Sequence, residues 1–310
     1  RQKIKMYTLK LSYQLIKEKY LSFLKSQEVL SEPFRGKIDQ LNNFFLPISK
    51  KIFQEYLRDK KTKIIGLTGG QGSGKSTISR ILKIILKEGY HLNTVIFSID
   101  DFYKTLKERK KMSKKVNPLF LTRGVPGTHD TDLIIKSIKH LKNRNFKNFL
   151  IPKFDKSSDD RYPKKKWQKV NKKPDIVIFE GWCVGATPQK NKDLIQAVNV
   201  LEEKNDRKRI WRNRVNKELK NKYKKIFKSI DFPIFLKVPS FRYVYMWRLL
   251  QEKKLRITSK GKKIMNNAEI KKFIMYYERL TKHMLKNYGK IAKIVVNIDE
   301  KHRLKSIKLN

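Results

Sequence analysis

The chain has 310 residues, with 75 Lys or Arg against 28 Asp or Glu and a formal net charge of +47. Apolar residues make up 39% and fall in blocks, which excludes wholesale disorder, and no apolar run approaches the roughly 20 residues that span a bilayer. The single cysteine, Cys183, excludes an intrachain disulfide and suits a reducing compartment. The lysines are dispersed along the chain, whereas a phosphate-backbone footprint is clustered. The excess therefore reads as compositional bias, and nucleic acid is not an expected partner. No compact apolar stretch follows the basic N-terminus, so a cytoplasmic monomer is expected, with organelle targeting left open.

In chain order, residues 1–60 read as an amphipathic helical extension, with Leu11, Tyr13, Leu15, Ile16, Tyr20, Leu21 and Leu24 facing a core. A domain over 61–310 is expected to follow. Its first unit is a strand (Lys63 to Thr68), a glycine-rich loop (Gly69 to Gly74) and a helix with apolar positions at Ile78, Ile81, Leu82, Ile85 and Leu86. A second strand runs from Thr94 to Ile99, and residues 103–128 read as a polar connection. A helix follows from Asp130 to Leu141, then an extended piece at Leu150 to Pro152 and a strong strand from Asp175 to Glu180. Residues 189–228 form a basic, mostly helical insertion or lid. A strand from Phe232 to Leu236, helices at 241–252 and 267–287, and a strand from Lys293 to Ile298 complete the chain. The second of these helices opens with Asn266 and Glu269 at capping-box spacing. Alternating strands and helices predict an α/β fold with a parallel sheet covered on both faces.

Gly69-Gly70-Gln71-Gly72-Ser73-Gly74-Lys75-Ser76 matches G-x-x-x-x-G-K-[ST] in full. Glycines let the backbone wrap phosphates with its N–H groups, and the following helix presents its positive end to the same anions. Lys75 reaches the terminal phosphates and the Ser76 hydroxyl ligates Mg²⁺. ATP with magnesium is thus the expected pair, held by Gly69, Gln71, Gly72, Ser73, Gly74, Lys75, Ser76 and Thr77. Glu180, closing an apolar strand, is the expected partner of the magnesium shell. Asp100 and Asp101 are adjacent carboxylates at a strand edge, costly unless they meet a metal, a substrate proton or a helix N-terminus. Only one of the two is expected to touch the substrate, and Asp100 is counted with the metal set as well. Arg123 and His129 flank a Pro126-Gly127 turn and could converge on an anion; the alternative is a helix start beside a solvated arginine. Trp247-Arg248, continuing to Arg256, could supply a lid cation; the alternative is a solvated helix face.

Together these motifs resemble D-glycerate 3-kinases of the P-loop type, relatives of uridine kinase, phosphoribulokinase and pantothenate kinase. The resemblance runs from about Phe45 to His302. Beside the P-loop it rests on Ser98-Ile99-Asp100-Asp101-Phe102-Tyr103, Arg123-Gly124-Val125-Pro126-Gly127-Thr128-His129-Asp130, Ile151-Pro152-Lys153-Phe154-Asp155-Lys156, Phe179-Glu180-Gly181-Trp182 and Trp247-Arg248-Leu249. It implies a P-loop NTPase fold with a five-stranded parallel sheet of the nucleoside-kinase type. It also implies transfer of the γ-phosphoryl of ATP to the primary hydroxyl of D-glycerate. Asp100 matches the base, Arg123, His129 and Arg161 match positions around the acceptor, and Tyr103 and Lys153 belong to the same motifs. With Lys75 and Arg248, Asp100 forms the expected catalytic set. The rival readings are another small acceptor (a nucleoside, a sugar phosphate or pantothenate) and a basic nucleic-acid-binding ATPase.

Overall fold

A computed structural model describes residues 2–28, 34–258 and 265–310; the side chains of 2–11 and 254–258 lie outside that description. Helix α1 (Gln2–Gln27) is followed by α2 (Lys37–Gln40), a π-helical turn (Leu41–Phe45) and α3 (Leu46–Leu57). Strand β1 (Lys63–Gly69) leads through the glycine loop into α4 (Lys75–Tyr90), and β2 (Thr94–Ser98) follows. Then come α5 (Leu106–Lys115), α6 (Thr131–Lys142), and the short strands β3 (Phe149–Ile151), β4 (Phe154–Asp155), β5 (Asp160–Arg161) and β6 (Gln168–Val170). Strand β7 (Ile176–Gly181) precedes α7 (Val200–Asn205), α8 (Ile210–Glu218) and α9 (Lys224–Phe227). Last are β8 (Phe232–Lys237), α10 (Phe241–Thr258), α11 (Asn267–Asn287), β9 (Ile294–Ile298) and β10 (Leu304–Leu309).

The sheet order is β10-β9-β8-β1-β7-β2. Five strands pair in parallel, as the alternation of strands and helices requires. The expected five-strand count omits β10, which adds to β9 antiparallel as a sixth, edge strand. Its inner side chains are only half-buried, which is why no strong apolar run announces it.

Successive strand residues point to opposite faces. Ile65, Leu67, Ile176, Ile178, Ile234 and Leu236 pack with α1, α3 and α4. Ile64, Val177, Phe179, Phe235 and Val295 pack under α6, α11 and the 200–227 segment. In α1 the buried stripe is Ile16, Tyr20 and Leu24, at helical spacing. Leu15 is exposed, and the Leu11 side chain lies outside the described residues. The basic 189–228 segment holds a 3₁₀ turn (Asn191–Leu194) and the three short helices α7, α8 and α9, with a π-helical turn (Leu219–Tyr223) between the last two. Trp211, Leu219, Tyr223 and Ile226 sink into the core, and Glu202 accepts from both Arg212 and Arg279.

One expectation is corrected outright. Residues 103–128 contain a ten-residue helix, α5, rather than an unbroken polar connection. Its start is fixed by a capping box in which Thr105 accepts from the Glu108 N–H and Glu108 accepts from the Thr105 N–H. The helix LKERKKMSKK has few apolar positions, so periodicity was silent there.

Candidate active site

The parallel register brings the carboxyl ends of three strands together, the position where open α/β sheets bind ligands. Leu67 on β1 and Ser98 on β2 both pair with Glu180 on β7. The glycine loop, the acid pair after β2 and Glu180 therefore share one edge. In the loop, Gly72 has φ +77°, and a Cβ there would stand 2.8 Å from the Trp247 Cβ of α10. Glycine is needed at Gly72 for both conformation and space. Lys75 Nζ donates to the carbonyls of Gly69 and Gly70, each at 2.9 Å. Burial pulls the Lys75 pKa down, opposed by the Glu180 and Asp100 carboxylates. The Ser76 hydroxyl donates to Glu180 Oε1 at 3.4 Å, and burial pushes the pKa of Glu180 up against the pull of Lys75.

The two acids after β2 have different surroundings. They open a 3₁₀ turn (Ile99–Phe102) whose N-cap is Ser98. Asp101 closes the capping box, accepting from the Ser98 N–H at 3.1 Å and from Lys153 Nζ at 2.9 Å. Asp100 accepts from the Tyr103 hydroxyl at 2.7 Å and from Lys156 Nζ at 2.9 Å. Burial alone would raise the Asp100 pKa, but the Lys156 ammonium and the Tyr103 hydroxyl outweigh it and hold the group well below the usual carboxylate range. Lys153, expected beside the acceptor, is instead engaged with the capping acid.

Tyr103 is buried, bridges to His129 in antiparallel fashion, and stacks on its ring at 4.6 Å. His129 departs from the expectation that it would help hold an anion. Its side chain is fully buried, and burial pulls its pKa down to about 3, so the imidazole is neutral at pH 7. Its Nδ1 lies 2.6 Å from the Tyr223 hydroxyl, which accepts from the Gly127 N–H at 2.9 Å. His129 thus ties the acceptor-side motif to the 189–228 segment, 94 residues away.

Arg123 and Arg161 lie at the same edge with partners of their own. Arg123 pairs with Asp159 and sits over the Phe154 ring at 5.5 Å. Arg161 donates to Asp130 at 3.2 Å and to the Tyr103 carbonyl at 2.9 Å. Arg248, on the helix that Gly72 touches, is held by Gln251 and Glu252, while Arg256 has a side chain outside the described residues.

Sequence reasoning gave no role to Lys156, Asp159, Arg109 or Tyr277. Arg109 is fully buried and donates to the carbonyls of Lys104, Leu121 and Asp159. The Tyr277 hydroxyl, on α11, donates to the Arg123 carbonyl at 3.2 Å, and Gly124 with φ +146° lies directly against that tyrosine. The β4–β5 hairpin does carry a legible signal: Asp155 accepts from the Ser157 N–H and hydroxyl, a turn built on an Asp side chain. Cys183, two residues beyond β7, is buried, and burial pushes its thiol pKa far up.

Comparison with known proteins now adds to this geometry. A sequence profile of the phosphoribulokinase/uridine kinase family matches residues 64–217. A kinase of Schizosaccharomyces pombe described as uncharacterized, mug58, is 35% identical over 222 residues, 69% of this chain and 78% of that protein. The chain belongs to the phosphoribulokinase/uridine kinase family. Among the relatives of this P-loop kinase is the chloroplastic D-glycerate 3-kinase of Arabidopsis thaliana, 30% identical over 222 residues. That match covers 69% of this chain and 46% of the plant protein's length. The solved D-glycerate 3-kinase of Cryptococcus neoformans superposes with a TM-score of 0.72 at 24% identity, covering 86% of this chain and 99% of that one, and shows the shared fold.

Membership implies ATP use, and the loop fits it: Lys75 Nζ lies against the loop backbone and α4 begins directly after Gly74, so a helix N-terminus opens on the glycine loop, the end of a helix that favours phosphate. Among the described residues no cluster of three or more His, Cys, Asp or Glu could hold a metal by itself. Magnesium in such kinases needs fewer protein ligands, since phosphates and water complete its octahedron. The hard oxygens of Ser76 and Glu180, in hydrogen-bond contact, suit it. Among the described residues no helix is long and apolar enough to cross a membrane.

Proposed function

We propose that this kinase transfers the γ-phosphoryl of ATP to the primary hydroxyl of D-glycerate, yielding 3-phosphoglycerate and ADP. The observation that carries this reading is the surroundings of Asp100. A carboxylate stands at the strand edge beside the P-loop with Lys156 donating to it, and Arg123 and Arg161, each paired with an acid of its own, lie around the neighbouring Tyr103. Such a site suits a small hydroxy acid, with an acid for the hydroxyl and cations for the carboxylate. The similarity to the D-glycerate 3-kinase of Arabidopsis thaliana supports the same acceptor.

The glycine loop and Lys75 bind the triphosphate. Ser76 and Glu180 would hold Mg²⁺, which neutralises charge on the β- and γ-phosphates when bound. The acceptor's hydroxyl oxygen attacks the γ-phosphorus in line. Its proton passes to a carboxylate oxygen of Asp100, and the bond from the γ-phosphorus to its bridging oxygen breaks, leaving with ADP. Arg248 is the candidate lid cation for the transferring group, released from Glu252 to act. Tyr103 and, behind it, neutral His129 position Asp100 rather than touch the acceptor.

The test is ADP release with Mg²⁺ against D-glycerate, L-glycerate, uridine, ribulose 5-phosphate, pantothenate and RNA. The proposal expects turnover with D-glycerate and none stimulated by RNA. Turnover confined to another acceptor would reassign the substrate, and ATP hydrolysis that rises with RNA would favour a nucleic-acid-dependent ATPase.

A further inference from the structure

The four residues 156–159 that join β4 to β5 carry two charges of opposite sign into the site. At one end Lys156 Nζ sits 2.9 Å from Asp100 Oδ2. At the other, Asp159, in the left-handed region at φ +55°, pairs with both Arg109 and Arg123. One turn thus supplies a cation to the acid and an acid to the cation. The two ends are not equally fixed. Arg109 is fully buried and anchors Asp159 through the backbone carbonyl as well as the carboxylate. The Lys156 side chain is 62% exposed, and Asp100 is the sole partner recorded for it among the described residues. A lysine is a compact charge on a flexible stem, able to change partners without moving the backbone.

We propose that Lys156 is a specificity-determining residue that an acceptor's carboxylate draws off Asp100, so that binding the anion also frees the base. This rests on the reading of the site as one for a hydroxy acid. In a three-carbon hydroxy acid, a hydroxyl placed on Asp100 leaves the carboxylate close to the same ammonium, and one cation then faces two carboxylates. An Asp100 paired with an ammonium is a poor proton acceptor; the same group relieved of it is a better one. A neutral acceptor with the same hydroxyl would occupy the site yet leave the Lys156–Asp100 pair intact. The other groups facing Asp100 stay in place: the Tyr103 hydroxyl and neutral His129, with Lys75, Glu180 and Tyr277 around them. Asp101 is already satisfied by Ser98 and Lys153.

The experiment compares the wild type with Lys156→Met and Lys156→Arg, using D-glycerate and the neutral triol glycerol at saturating ATP and pH 7. Far-UV circular dichroism checks the fold, which an exposed lysine should not disturb. For Lys156→Met the expected result is a KM for D-glycerate raised about 10-fold or more, the loss of one charge-assisted contact. The preference in kcat/KM for D-glycerate over glycerol should fall by a similar factor, and Lys156→Arg should restore part of it. An unchanged KM and preference in Lys156→Met, or an equal loss with both acceptors, overturns this inference alone. A wild type that ignores D-glycerate while turning over another acceptor overturns it together with the proposed substrate.

Discussion

The two halves of the site are built in opposite ways. The phosphate side is one contiguous stretch, Gly69 to Thr77, whose conformation follows from its own glycines and from the strand and helix it joins. The acceptor side is assembled from scattered pieces: the turn after β2, Arg109 on α5, Arg123, the β4–β5 hairpin, Tyr223 and Tyr277 on α11. A contiguous site survives changes elsewhere in the fold. An assembled one depends on every long-range contact that sets its geometry, and those contacts also decide which acceptor fits.

The largest effect should come from breaking the contiguous half. Replacing Lys75 by Ala removes the cation that the loop aims at the phosphates, and kcat should fall by about 10²–10³-fold or more with circular dichroism unchanged. Normal turnover would mean that phosphate charge is handled elsewhere. On the assembled half, Asp100→Asn keeps the shape but not the proton acceptor, and kcat should drop by roughly 10²–10⁴-fold while ATP affinity stays. Near-normal turnover of Asp100→Asn would remove it from the base role.

A third test probes the long-range tie rather than the chemistry. His129 is neutral when folded, with its pKa pulled down to about 3, while an unfolded histidine takes up a proton near pH 6.5. A lowered histidine pKa means that stability is full above about pH 6.5 and is lost as pH falls towards 3. The contribution is on the order of 2 kcal/mol between pH 7 and pH 5. Urea unfolding should show that loss in the wild type and less of it in His129→Phe. His283, also lowered by burial, leaves a residual slope. Equal slopes in the two proteins would mean that His129 is charged in the fold. The smallest effect is expected for Thr105→Ala, which removes the cap of α5 and should cost about 1 kcal/mol in the same assay with kcat unchanged.

How much of this was legible follows the same division. The sheet, the loop, Glu180 and the capping box at Asn266 and Glu269 are local patterns, and they sit where their spacing put them. Local composition could not separate Asp100 from Asp101, because both are acids at a strand end. What separates them is that Asp101 turns back to the Ser98 N–H while Asp100 meets Lys156, 56 residues on. Capping-box spacing at Thr105 and Glu108 was present in the sequence and would have found α5, but the helix lacked the apolar stripe that draws attention. His129 read as a cation because its type permits it; its burial against Tyr103 and Tyr223 is a tertiary fact. Lys156 and Asp159 sit among other charged residues in a loop, and nothing local distinguishes them from solvated neighbours.

Cys183 is the sole thiol of a 310-residue chain and is sealed in the core behind β7 with its ionisation suppressed. Only a thiolate reacts readily with maleimides and related electrophiles. The folded protein is therefore a silent background for site-directed labelling. A cysteine introduced at the tip of the β4–β5 hairpin could carry a fluorophore or spin label without first deleting a native one. Uptake of label by Cys183 would in turn report unfolding around β7.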